Sequence, residues 1–151
     1  MIETVEGCLA CDLAEGRRPL PGGVIHESRY WLVEHCVGPL GVGTLLVKPK
    51  RHVTRVSDLS EKEAAELGPL LRRTARAVDR LLAPEQVYTW LFSHAGARPV
   101  HVHYVVQPAT QAVMNEFGEY GPQLTTAMFA RNETPDADEV EAFAERARRI
   151  F

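Results

Sequence analysis

The chain has no run of about 20 apolar residues, so no segment reads as a helix that crosses a bilayer. Its first residues, Met1 to Gly7, include Glu3 and Glu6 and no basic stretch leading into an apolar one. They do not read as a secretory signal, and a cytoplasmic protein is the expectation. Charge of one sign is missing too: 17 Lys and Arg stand against 20 Asp and Glu, a net charge of −3. A chain so close to neutral has no overall field to hold nucleic acid or an anionic membrane, so neither is expected as a partner. Cysteine is scarce, with three residues, and suggests no disulfide framework. No segment repeats, and none is of low complexity. The signature of disorder is absent as well, because a chain 45% hydrophobic and 25% charged can build a core. Its 151 residues make one ordinary domain.

What is present reads as strands, one long helix, more strands and then helices. Cys8 to Ala14 suits a short turn of helix, and Glu15 to Gly23 an exposed loop rich in Pro, Gly and charge. Strands are expected at Val24–His26, Tyr30–His35 and Thr44–Lys48, the last stopped by Pro49. The glycines of Gly38–Gly43 match no phosphate-binding fingerprint and read as a strand connection. Ser60 and Glu63 form a capping box that opens a helix running to about Leu82. Its apolar stripe is Leu67, Leu70 or Leu71, Val78 and Leu81, and Arg72, Arg73, Arg76 and Arg80 make a solvated outer face. Gly68-Pro69 should kink or split this helix. Strands follow at Val87–Phe92 and Val100–Gln107. Thr134 is the expected cap of a last helix beginning at Pro135, with Val140, Phe143, Ala147 and Ile150 on its apolar side. Phe117 and Tyr120 are expected to anchor the segment before it. The fold class is therefore α+β, with a mainly antiparallel sheet of about five strands.

Chemistry concentrates in His101-Val102-His103-Tyr104-Val105-Val106-Gln107-Pro108. Alternate residues of a strand share a face, so His101 and His103 point one way while Val102 and Tyr104 point into the core. A single histidine on a strand is usually structural. Two on one face need partners, and metal ligation, phosphate contact and nucleophilic catalysis all supply them. Cys8 and Cys11 form a C-x-x-C pair, which suits a metal or a redox dithiol. No strand precedes the pair, as a thioredoxin-like motif would require. With His52 and His101 the pair makes up the Cys2His2 composition of a closed tetrahedral zinc site, although spacing supports only the cysteines.

These residues resemble the histidine triad superfamily of nucleotide hydrolases and transferases. The resemblance runs from Cys8 to Pro108: Cys-x-x-Cys before a short helix, then a strand–turn–strand ending in Leu46-Val47-Lys48-Pro49-Lys50-Arg51-His52, the long helix, and the signature strand closed by Pro108. It implies one domain over 1–151, with 1–108 as the family core and 109–151 as a C-terminal helical extension. It implies a structural zinc on Cys8, Cys11, His52 and His101, as in the zinc-containing branch. His103 takes the place of the family nucleophile, which attacks the α-phosphorus of a nucleotide and is then released by water or another acceptor. A nucleotide or other phosphate-containing small molecule is the implied ligand, and a homodimer the implied assembly.

The sequence departs from the family at three places. Val105 stands where the third histidine belongs. Cys36 stands where an acid binds ribose, with Glu34 or His35 as the substitutes if the register slips. The usual loop before the signature is replaced by Ser93-His94-Ala95-Gly96-Ala97-Arg98-Pro99. There Ser93, His94 and Arg98 are the candidate substrate contacts, and an exposed loop arginine is the plainer reading of Arg98. Three functions follow: a hydrolase or transferase using His103, a zinc-stabilised binding module that has lost the chemistry, and a thiol redox protein using Cys8 and Cys11.

Overall fold

In a computed structural model that describes residues 2–93 and 98–151, the chain forms a five-stranded antiparallel sheet with helices on both faces. The strands are β1 (Val24–Glu27), β2 (Trp31–His35), β3 (Leu45–Pro49), β4 (Gln86–Trp90) and β5 (Tyr104–Ala109). Their order across the sheet is β1-β2-β3-β5-β4. The helices are α1 (Leu9–Ala14), α2 (Glu61–Leu82), α3 (Gln111–Phe117), α4 (Gly121–Arg131) and α5 (Ala137–Arg148). Among the described residues, no helix is long and apolar enough to cross a membrane. The expected α+β class is borne out.

The two faces of the sheet follow from strand alternation. Trp31, Val33, Leu45, Val47 and Val106 face α2 and α5, and pack with Leu70, Val78, Phe143 and Ala147. Cys36, Leu46, Val105 and Ala109 face the other way and pack with Leu40, Leu124 and Met128. Because both faces are covered, β2 and β3 are buried at every position. The second face is only partly filled, and the gap under α1 and α4 becomes the cavity described below.

Five expectations need correction. β5 begins at Tyr104, so His101 and His103 precede the strand, although Val102 N–H still donates to the Val53 carbonyl at 2.7 Å. Pro108 does not end β5; it lies beyond the last pair with β3, where its missing N–H leaves no ladder bond unmade. The helix α2 is not split at Pro69, because Gly68 and Pro69 lie on its exposed side, where the ring presses on no neighbouring element. The cap of α5 is Asp136, whose carboxylate accepts from the N–H groups of Asp138 and Glu139, so the helix starts two residues later than Thr134 implies. Tyr120 is exposed rather than an anchor, while Phe117 packs on the second core.

Candidate functional site

Three segments bring the cysteines and histidines together. Cys8 is the N-cap residue of α1 and Cys11 lies in its first turn. His52 follows β3, tied down by its N–H donating to the Glu3 carbonyl at 2.7 Å. His101 lies just before β5. Cys8 Sγ stands 3.6 Å from His101 Nδ1, and Cys11 Sγ stands 3.5 Å from both His101 Nδ1 and His52 Nδ1. The four ligand atoms all lie within 4.8 Å of one another.

Tautomers follow from the neighbouring carbonyls, which can only accept. His101 Nε2 is 3.0 Å from the Pro49 carbonyl, so Nε2 carries the proton and Nδ1 turns its lone pair toward the thiols. Burial drives the His101 imidazole down to about 4, opposed by its bond to the Pro49 carbonyl and helped by the nearby ammonium of Lys48. Burial also drives the Cys11 thiol up to about 11. Two thiols and two imidazoles facing inward with their lone pairs suit a soft divalent cation. For tetrahedral zinc, bonds of about 2.3 Å to sulfur and about 2.0–2.1 Å to nitrogen place neighbouring S and N atoms about 3.5 Å apart. The observed S···N separations of 3.5–3.6 Å fit that spacing.

His103 lies two residues beyond His101 and is half-buried. Its Nδ1 donates to the His101 carbonyl at 2.8 Å, which leaves Nε2 of the neutral ring as a lone-pair donor. Both histidines line one cavity of about 410 Å³. Expected alternation therefore holds for the pair, even though the strand starts after them. Val105 lies on the same wall, almost wholly buried, and offers no polar atom.

The remaining candidates separate clearly. Ser93 lines the cavity. Arg98 is exposed, and among the described residues the wall takes Pro99 rather than Arg98. His94 lies outside the described residues. Cys36 lines the cavity and accepts from Gly38 N–H at 3.3 Å; burial raises its thiol to about 11. His35 is not a substitute for the ribose acid. It faces the α5 side, donates from Nδ1 to the Cys36 carbonyl at 2.8 Å and accepts Gly43 N–H on Nε2 at 2.8 Å. Gly43 is required there, since its φ of 97° is left-handed and a side chain would run into Leu82 and Phe143.

Glu34 does reach the cavity, together with a residue that the sequence reading passed over. Lys48 is buried and donates to Glu34 Oε1 at 2.6 Å and to the Ala10 carbonyl of α1 at 2.8 Å. Burial pushes the Glu34 carboxyl up and Lys48 pulls it back down. The available signal was charge inside apolar runs: one Glu in β2 and one Lys in β3, in register on one face, where Glu34 pairs with Leu46 and Lys48 with Leu32.

No family model matches the chain. Comparison of whole structures is more telling. A Hit-like protein from Bartonella henselae superposes with a TM-score of 0.74 at 16% identity, covering 99% of each chain. A zinc-bound histidine triad family protein from Mycobacterium smegmatis superposes with a TM-score of 0.66 at 22% identity, covering 95% of this chain and 91% of that one. The chain has the histidine triad fold. In sequence, an adenosine 5'-monophosphoramidase of Schizosaccharomyces pombe is 26% identical over 106 residues, which is 67% of this chain and 74% of that protein. The resemblance to the histidine triad superfamily read from the motifs is thus borne out, and it extends in structure past Pro108 to the C-terminal helices.

Proposed function

We propose that the protein is a nucleotide-phosphate hydrolase or nucleotidyl transferase that acts at an α-phosphorus through a covalent nucleotidyl-histidine on His103. Cys8, Cys11, His52 and His101 would hold a structural zinc. Likeness to a phosphoramidase and to a zinc-bound histidine triad protein supports the class. The observation that carries the reading is the orientation of His103: Nδ1 is engaged by the His101 carbonyl, and Nε2 has no hydrogen-bond partner among the described residues in a side chain that lines the cavity.

The chemistry follows from that orientation. The Nε2 lone pair attacks phosphorus, an N–P bond forms, and the leaving group departs with its bonding electrons and gains a proton. Water then attacks the same phosphorus, the N–P bond breaks, the water gives up a proton, and the imidazole returns to neutral. The His101 carbonyl accepts from Nδ1–H throughout, and it supports the positive charge that grows on the ring as the N–P bond forms. Zinc held by Cys8, Cys11, His52 and His101 would cross-link α1, the end of β3 and the segment before β5, and would so steady the carbonyl that orients His103. The reading includes a phosphate-containing small molecule as ligand, and a cytoplasmic homodimer.

The test is turnover by zinc-loaded wild type and His103→Ala across dinucleoside polyphosphates, nucleoside phosphoramidates and nucleotide sugars. Loss of at least three orders of magnitude in the variant, with fold and zinc content intact, is expected (about 4 kcal/mol of transition-state stabilisation). Wild-type rates in the variant would refute the reading. A zinc-stabilised binding module is the second reading, favoured by the apolar Val105 at the third signature position. It is distinguished by ligand binding without turnover by either protein.

A further inference from the structure

Most polar side chains on the cavity wall are already committed. Glu34 and Lys48 are closed on each other at 2.6 Å, and each is 1% exposed. Cys8 and His101 face the Cys2His2 cluster. Cys36 is buried, and its sulfur accepts from Gly38 N–H. Among the described residues this leaves His103, Ser93 and Asn132. His103 is engaged with phosphorus in the proposed function. Of the other two, only Asn132 carries both an acceptor oxygen and two N–H donors. It comes from the C-terminal helices, outside the segment that carries the histidine motif.

The fold holds Asn132 firmly at the edge of the cavity. It caps α4, with φ 56° and ψ 37°, and its N–H donates to the Met128 carbonyl at 3.0 Å. Glycine and asparagine are the residues that adopt this left-handed cap most readily, and only asparagine adds a side chain that can bind. Phe129, one turn earlier, lines the same cavity and leans on Trp90 at 6.2 Å between ring centroids. Gln107 of β5 ties the helix down: its Oε1 accepts from Thr125 Oγ1 at 2.9 Å and from Trp90 Nε1 at 3.0 Å. Two residues past Asn132, Thr134 and Pro135 line a smaller hollow with Cys36 and Val37, so Asn132 lies toward the Cys36 end of the cavity. Depth separates the walls. Leu40, Leu46 and Val105 are buried, whereas Asn132 is exposed at the rim. Hydroxyl groups are costly to take out of water, so the hydroxylated part of a ligand belongs at the rim and its apolar part against the deep wall.

We infer that Asn132 is a specificity-determining residue, whose side-chain amide pairs with two neighbouring hydroxyls of the substrate while the phosphate of the same substrate lies at His103. This rests on the proposed function for the position of the phosphate. It goes beyond that reading by giving α4 a part in selecting the substrate and by naming the group selected, a vicinal diol. A ligand without the diol would leave the amide to water and lose the paired hydrogen bonds.

Binding tests this without requiring turnover. Adenosine 5'-monophosphate and 2',3'-dideoxyadenosine 5'-monophosphate, which differ in the diol alone, are titrated by calorimetry into the zinc-loaded protein. Wild type is expected to bind the diol-bearing ligand about tenfold more tightly. Asn132→Gly keeps the left-handed cap and removes only the amide. Its thermal midpoint should match or exceed that of wild type, and its ratio of affinities should fall to about twofold or less. Asn132→Asp keeps two acceptors for the hydroxyls and should retain the preference. Equal affinities in wild type would overturn the inference, and so would an unchanged ratio in Asn132→Gly; both leave the proposed function standing. Binding of neither ligand would overturn the inference and the nucleotide reading together. A diol preference that depends on Asn132, in a protein that turns nothing over, would uphold the inference while refuting the nucleophilic role of His103.

Discussion

Single side chains decide the site, and carbonyl oxygens decide the side chains. His101, His103 and His35 each donate one ring N–H to a backbone carbonyl, and the other nitrogen is thereby assigned. For His35 the second nitrogen accepts Gly43 N–H, so a proton there would set two donors against each other. Burial holds the His35 imidazole below the ordinary histidine value near 6.5, opposed by its bond to Cys36. The folded value is the lower one, so below about 6.5 the unfolded chain binds the extra proton first. This contribution to stability is intact above that pH and declines as pH falls toward the folded value. Urea unfolding between pH 7.5 and 5 should show wild type losing stability more steeply than His35→Gln. Equal slopes would mean that His35 is not held neutral. The proposed metal ligands carry a second prediction at this scale. Cys11→Ser should lose stoichiometric zinc, measured by metal analysis, and should lower the thermal midpoint; full retention of zinc would remove Cys11 from the ligand set.

Elements were legible where a local rule acts alone. Ser60 and Glu63 form the capping box that their spacing implies, and Glu63 is held further by Arg51 at 2.9 Å. The apolar stripe of α2 faces the sheet as its periodicity requires. Rules failed where two of them compete. Thr134-Pro135 and Asp136 are both plausible starts for α5, and the carboxylate that reaches two N–H groups wins. Asp136→Ala is therefore expected to cost about 1 kcal/mol in chemical denaturation, and Thr134→Ala close to nothing. The reverse order would restore the earlier cap. Both His101 and His103 were found from alternation, although hydrogen bonding with β3 begins only at Tyr104, which pairs with Val47. The Glu34–Lys48 pair was not legible. Strands buried on both faces lose their alternation, and only the register of β2 on β3 places the two charges together.

At the scale of the whole molecule, the sheet divides labour between its faces. One face carries α2 and α5 and is close-packed around Trp31, Val78 and Phe143. The other carries α1, α3 and α4 and keeps a cavity beside the Cys2His2 cluster. A metal on the cluster would tie α1 to the segments that carry His52 and His101, so chelation should do more than empty a site. Zinc removal should lower the thermal midpoint and reduce catalysis together, and zinc, but not magnesium, should restore both; an unchanged midpoint after complete removal would deny the structural role. What the sequence leaves unsaid at this scale is depth: it singles out His103 by its motif and offers Glu34 only as a stand-in for the ribose acid, and only the fold puts both on one cavity. The most direct measurement of the central claim is intact-mass analysis of protein quenched during turnover of an adenosine phosphoramidate. The account predicts a transient gain of one nucleotidyl group, mapped to the peptide containing His103 and absent from His103→Ala. Turnover with no adduct on wild type, and undiminished in His103→Ala, would contradict it.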